Sequence, residues 1–215
     1  MRGDFFGLKN KKDIVIGVTG HRNLVKDDYS DIIAQLREGF CAIIDLHKTT
    51  DDAQQRPSVL LLTGLAQGAD MLAAKVAREL GVPYVAVLPC ELEKYKKSFD
   101  DPEALAELDD YIHNATEVVI VDDIEKDFDN QPNQNEDSYR YRQVGIYIVQ
   151  RASLLVALWD GKPPKSQYGC GTADVVNIAL KSDCPVLWVN CRRVGDGSNK
   201  NVTATYLPPS QQVED

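Results

Sequence analysis

Short apolar runs that lack polar alternation recur along the chain. They are Asp13–Thr19 (DIVIGVT), Ser58–Thr63 (SVLLLT), Pro83–Leu88 (PYVAVL), Thr116–Val121, Ser153–Trp159 and Pro185–Asn190. Between them the apolar positions fall at helical spacing. From Tyr29 to His47, the residues Ile32, Ile33, Leu36, Phe40, Ile43 and Ile44 share one face, and from Gly68 to Leu80 so do Ala69, Leu72, Ala73, Val76, Ala77 and Leu80. Gly81 stops the second of these helices. Further helical segments are predicted at Glu91–Ser98, Pro102–Asn114, Ser138–Ala152 and Gly171–Leu180, with one additional candidate strand at Val202–Tyr206.

Strands that are apolar on both faces, each followed by a helix, predict a mostly parallel sheet buried between two helical layers. The expected fold is therefore α/β: a doubly wound, Rossmann-like sheet of about six strands. The expected organisation is an N-terminal extension at 1–12, a single domain at 13–190 and a tail at 191–215, which looks loosely ordered outside the candidate strand. Asp122–Asp137 is polar and aperiodic and reads as a mobile, solvent-facing insertion within the domain.

Charge narrows the partners. The chain of 215 residues carries a net charge of −9, and Asp122–Asp137 alone contributes seven acids against Lys126. Such a balance repels a phosphate backbone at long range, so extended nucleic acid is not an expected partner, while a small anion in a local pocket is compatible. No apolar run reaches the length of a membrane span. The first residues lack the apolar core of a secretory signal, so the expectation is a soluble, cytoplasmic protein. The five cysteines form no CxxC pair and the three histidines lie far apart in sequence, so neither a disulfide framework nor a metal site is expected.

In a sheet of this kind the helix N-termini crowd the carboxyl edge of the strands, where ligands bind at the point of topological reversal. The residues placed there are Thr19, Gly20, His21 and Arg22 after the first strand, and Gly64, Leu65, Ala66, Gly68, Ala69 and Asp70 after the second. After the fifth come Asp160 and Gly161, then Gly169, Gly171, Thr172 and Asp174. Glycine-rich turns let backbone N–H groups approach an anion, and the helix dipole behind them favours negative charge. A second reading stands beside this one: Gly20 and Gly64 end strands, Thr172 caps a helix, and Asp70 and Asp174 complement helix N-termini.

Arg22 holds a permanent charge in a planar fork suited to phosphate. Arg140 and Arg142 open the helix before the fifth strand, where cations oppose the dipole, and Arg142 is expected to point nearer the sheet. A salt bridge from this pair to the acidic insertion is the competing account. Tyr139, Trp159 and Tyr168 are candidates for stacking a base. The spacing of GVTGHR is not GxGxxG and there is no GxxxxGK[ST] loop, so no cofactor is expected. Cys170 has no histidine near it in sequence and reads as a small filler between glycines.

Four segments, GVTGHR, LLTGLAQGAD, ARELGVPYVAVLP and GCGTAD, together resemble the SLOG superfamily, the Rossmann-like group named for the DNA-processing protein DprA (Smf) and the LONELY GUY phosphoribohydrolases. LLTGLAQGAD is similar to the SGLAxGID signature of the DprA branch, and GCGTAD to the second half of PGGxGTxxE in the phosphoribohydrolase branch. In that second motif only Gly169 of the glycine pair is kept, and the terminal Glu position falls on Val175, one residue after Asp174. The resemblance implies a nucleotide or nucleotide-derived small molecule at the carboxyl edge, a homodimer, and either a sensor or a processor. It also implies an alternative activity, N-glycosidic cleavage of nucleoside monophosphates, with Asp174 or Asp70 activating water and Arg142 holding phosphate. Single-stranded DNA binding, as in DprA, would require a basic stripe that the sequence does not contain.

Overall fold

A computed structural model describes residues 13–46, 58–121, 136–163, 171–195 and 201–209. The extension at 1–12, residues 122–135 of the acidic insertion, and Tyr168, Gly169 and Cys170 lie outside the described residues.

Seven strands form one sheet in the order β4-β3-β2-β1-β5-β6-β7. They are β1 (Ile14–Gly20), β2 (Val59–Thr63), β3 (Tyr84–Leu88), β4 (Glu117–Ile120), β5 (Leu154–Trp159), β6 (Val186–Asn190) and β7 (Thr203–Leu207). All pairings are parallel except β6 with β7. The helices are α1 (Tyr29–Leu46), α2 (Ala69–Glu79), α3 (Leu92–Lys96), α4 (Pro102–Asn114), α5 (Glu136–Arg151) and α6 (Thr172–Lys181). Among the described residues, no helix is long and apolar enough to cross a membrane.

Alternation along each strand sorts the core into two layers. Ile14, Ile16 and Val18 of β1 join Ile32, Leu36 and Phe40 of α1 and the apolar residues of α2 and α4 on one face. Val15 of β1 meets Val144, Ile148 and Val149 of α5 and Val175, Val176 and Ala179 of α6 on the other. The central strands read as unbroken apolar runs because neither face meets water, while the edge strands β4 and β7 are largely exposed. Chain order reverses between β1 and β5, which are hydrogen-bonded neighbours from Ile16↔Leu154 to Gly20↔Leu158. The crossovers on either side of that line use opposite faces, so a crevice opens between the two strand ends.

Two expectations change here. The sheet has seven strands, and it does not end at residue 190: β7 adds the antiparallel edge, near the expected Val202–Tyr206. The return from β6 is fastened by Arg192, which donates two hydrogen bonds to buried Asp28, Nε to Oδ2 at 2.8 Å and Nη2 to Oδ1 at 2.5 Å. That pairing holds the Asp28 carboxyl below its ordinary value. In addition, α5 begins at Glu136, so Glu136 and Asp137 belong to a helix rather than to the insertion.

Candidate functional site

A cleft of about 880 Å³ occupies the carboxyl edge of the sheet. Eleven of the sequence-predicted residues line it: Thr19, Gly20, His21, Arg22, Gly64, Ala66, Asp70, Trp159, Asp160, Gly171 and Thr172. Its apolar floor comes from Val18 of β1, Val144, Gly145 and Ile148 of α5, and Ala173 and Val175 of α6. Here α5 and α6 approach closely, because a Cβ on Gly145 would lie 2.5 Å from Val175 Cγ2.

The turn after β2 is folded around its own aspartate. Thr63 Oγ1 accepts from the Leu65 N–H at 3.1 Å and donates to the Asp70 carbonyl at 3.4 Å, while Asp70 Oδ2 accepts from the Ala66 N–H at 3.3 Å. Leu65 turns the corner with φ +50° and is fully buried. Leu65, Gly68 and Ala69 do not line the cleft. Gly68 and Ala69 instead support its wall: the Ala69 N–H donates to the His21 carbonyl at 3.1 Å. Burial pushes the Asp70 carboxyl up to about 7, against the Ala66 amide, the Arg22 charge and the Gly64 amide. A carboxyl so placed exchanges its proton near neutral pH.

His21 ties three segments together. Its Nε2 lies 3.0 Å from Asp160 Oδ1, and its Nδ1 lies 3.3 Å from Thr172 Oγ1. A carboxylate oxygen that close to a ring nitrogen requires a proton between them. This assigns Nε2–H, with Nδ1 accepting from the Thr172 hydroxyl. The Asp160 N–H also lies 3.2 Å from Nε2. Burial lowers the imidazole pKa in spite of Asp160, so the ring is neutral at neutral pH. Asp160 itself is held below its ordinary value: burial raises it, but the Lys162 amide, His21 and the Lys162 charge outweigh that effect.

The N-cap of α6 is Gly171 rather than Thr172, which is the first helical residue and meets His21 through its hydroxyl. Among the described residues nothing lies within 4 Å of a Cβ added to Gly171. Gly171, Thr172 and Ala173 at the N-terminus of α6 line the cleft.

Arg22 lies over the Tyr141 ring, 5.1 Å from its centroid, and 5.8 Å from that of Phe99, with Nη1 donating to the Ser98 carbonyl at 3.4 Å. Although burial lowers its pKa, the nearby Tyr95, Tyr141 and Asp70 raise it overall, so the guanidinium stays charged. Trp159, Lys162 and Arg193 also line the cleft. The Trp159 indole N–H donates to the Lys162 carbonyl at 3.0 Å, and Arg193 Nε donates to Asn23 Oδ1 at 3.0 Å.

The remaining sequence candidates lie elsewhere. Arg142 Nε and Asp174 Oδ2 pair with each other at 3.1 Å across α5 and α6, outside the cleft lining. Arg140 is the more enclosed of the two arginines, 13% exposed against 23%, and its Nη1 is 3.8 Å from Asp137 Oδ1. Gly161 and Tyr139 do not line the cleft. Gly161 turns at φ +76° against the Trp188 ring. Among the described residues, no group of three or more metal-ligating side chains forms.

Asn23, Tyr95 and Arg193 line the cleft without having been singled out from the sequence. Arg193 was within reach, since Cys191-Arg192-Arg193 follows β6 at the same edge.

No family model and no curated protein matches the sequence. Solved structures do. DNA processing protein A from Streptococcus pneumoniae matches with a TM-score of 0.52 at 16% identity, over 82% of this chain and 50% of that one. DNA processing protein A from Helicobacter pylori, described for its single-stranded DNA binding mode, gives 0.48 at 17% over 84% and 67%. The molybdenum cofactor binding protein of Rippkaea orientalis gives 0.45 at 16% over 83% and 77%. The chain shares a Rossmann-like fold with the Streptococcus protein, and it spans half the length of that protein.

Proposed function

We propose that this protein binds a nucleotide or nucleotide-derived small molecule in the cleft at the carboxyl edge of the sheet. The observation that carries this reading is the meeting, at one crevice, of the N-terminus of α6 at Gly171-Thr172, the neutral His21–Thr172 pair and the permanently charged Arg22 stacked on Tyr141. Backbone N–H groups and a helix dipole suit phosphate, and an apolar floor suits a base or ribose edge. The charge of −9 is thereby reconciled with an anionic ligand, because the local groups decide the field inside a cleft.

Thermal denaturation with mononucleotides, cyclic nucleotides and ADP-ribose tests the reading. Binding to the native state raises Tm by mass action, so saturating ligand should stabilise the protein by roughly 2–3 kcal/mol at about 100 Kd. Arg22→Ala, at an exposed position, should keep the unliganded Tm and lose most of that increment. Absence of stabilisation by any of these nucleotides would remove the reading.

A second reading, nucleotide processing by N-glycosidic cleavage, is favoured by Asp70, whose carboxyl is pushed up to about 7 inside the cleft and so suits general acid–base work. Arg142 and Asp174 do not serve it in this arrangement, since they neutralise one another away from the lining. Chromatography of AMP after incubation separates the readings: release of free adenine, lost in Asp70→Asn, identifies a hydrolase, and intact AMP identifies a binder.

A further inference from the structure

Three polar side chains of the cleft are linked in an order that ligand binding does not require. Asp160 Oδ1 lies 3.0 Å from His21 Nε2, and His21 Nδ1 lies 3.3 Å from Thr172 Oγ1. They come from three separate places in the fold: the residue after β5, the residue after β1 and the first residue of α6. Asp160 is 4% exposed and Thr172 7%, yet all three line the cleft. A carboxylate, an imidazole and a hydroxyl chained in this way are the parts by which a weak hydroxyl nucleophile is activated. Asp160 Oδ1 also accepts from the Lys162 N–H at 3.2 Å, which holds the carboxylate in place. With the proton of the neutral ring on Nε2, the Nδ1 lone pair serves the Thr172 hydroxyl. A separation of 3.3 Å is the loose contact expected of such a pair before substrate tightens it.

The place of the hydroxyl adds a second element. Thr172 opens α6, a helix of 10 residues. In its first turn the N–H groups of Thr172 and Ala173 have no intrahelical acceptor, and the helix dipole favours negative charge beside them. Negative charge is what develops next to the attacking oxygen when a hydroxyl adds to a carbonyl. The same lining contains the apolar side chains of Val144, Ile148 and Val175, a surface suited to an acyl chain.

We infer that the cleft carries an acyl-transfer activity in which Thr172 is the nucleophile toward a carboxylic ester, His21 is its base and Asp160 positions His21. The Thr172 Oγ–carbon bond forms as the hydroxyl proton passes to His21 Nδ1 and the carbonyl electron pair moves onto oxygen. Collapse of this tetrahedral species breaks the bond to the leaving alcohol, which takes the proton from Nδ1. Water then attacks the acyl-threonine and gives a proton to Nδ1, which returns it to Thr172 Oγ as the carboxylic acid departs. The sum is ester and water to acid and alcohol, with no other reactant. The activity is independent of the nucleotide-binding reading, which makes no use of the order of the three groups.

The full chain incubated with p-nitrophenyl acetate, butyrate and octanoate tests it. Nitrophenolate release should saturate with at least one ester, and peptide mass spectrometry after acid quenching should place the acyl group on Thr172. Thr172→Val keeps the shape of the side chain without its hydroxyl, so release should fall about 100-fold or more. Thr172→Ser returns a hydroxyl and should restore release. Asp160→Asn donates to Nε2 instead of accepting from it, which turns the Nδ1 proton toward Thr172; release should again fall about 100-fold or more while a cooperative melt persists. A purely structural tie would leave all these rates equal. If Thr172→Val fails to fold, the site of the acyl group and the rate of Asp160→Asn decide. Native rates in either variant, acyl groups confined to lysines or Cys41, or no release above the rate in buffer with any of the three esters would overturn the inference. Each of those outcomes leaves nucleotide binding standing, because thermal denaturation reads it separately.

Discussion

Gly68→Ala should destabilise the fold by about 3 kcal/mol or more and disturb the cleft together with it. Gly68 sits at φ +88° and ψ −115°, a conformation that a residue with a Cβ rarely adopts. An added Cβ would also lie 2.4 Å from the Arg22 carbonyl oxygen and 2.7 Å from that of His21. Both are backbone atoms, so no rotamer change relieves the contact, and the turn that presents His21 and Arg22 must move. Gly81→Ala is the control: Gly81 has φ +70° with nothing within 4 Å of the added Cβ, so it reports backbone strain alone. Urea denaturation should show the control losing about 1–2 kcal/mol and Gly68→Ala clearly more. Equal losses would mean that the chain beneath Arg22 yields freely.

Asp70→Asn should remove a pH dependence. The native carboxyl titrates at about 7, whereas an unfolded aspartate titrates near ~3.9. Between these values the folded state binds the extra proton, so stability falls as pH rises through that window and levels off above it. A shift of about three pH units corresponds to a loss of about 4 kcal/mol on going from acid to neutral solution. Asparagine keeps an oxygen for the Ala66 N–H and cannot ionise. Its stability relative to the native chain should therefore grow by that amount between roughly pH 4.5 and 8. Parallel stability curves for the two proteins would contradict the burial of Asp70 as the cause.

Both residues belong to the segment LLTGLAQGAD, and together they mark the limit of what the sequence discloses. The central parallel strands were legible because burial on both faces turns them into continuous apolar runs, and α4 matches the predicted Pro102–Asn114, with Asp101 as its cap and Pro102 at its start. β7 was faint because it is an antiparallel edge strand with Thr203, Ala204, Thr205 and Tyr206 all exposed. The start of α5 was missed because Glu136 and Asp137 continue an acidic stretch, and periodicity is lost where every residue is polar. The glycine turns that meet in the cleft follow from helix polarity alone. The Arg142–Asp174 pairing does not, since it depends on how α5 lies against α6, with Gly145 permitting the approach to Val175. Nor does the pKa of Asp70, which arises from burial among residues that come together only when the sheet closes.

The central claim is that nucleotide binding takes place at this edge of the sheet and involves these turns. Hydrogen–deuterium exchange with and without saturating nucleotide addresses it most directly. The account predicts slowed exchange in peptides covering Thr19–Asn23 and 171–173, with that covering 64–66 following, and little change along α1 or at β7. Binding that leaves those amides unprotected, or that protects the opposite edge of the sheet, would contradict it.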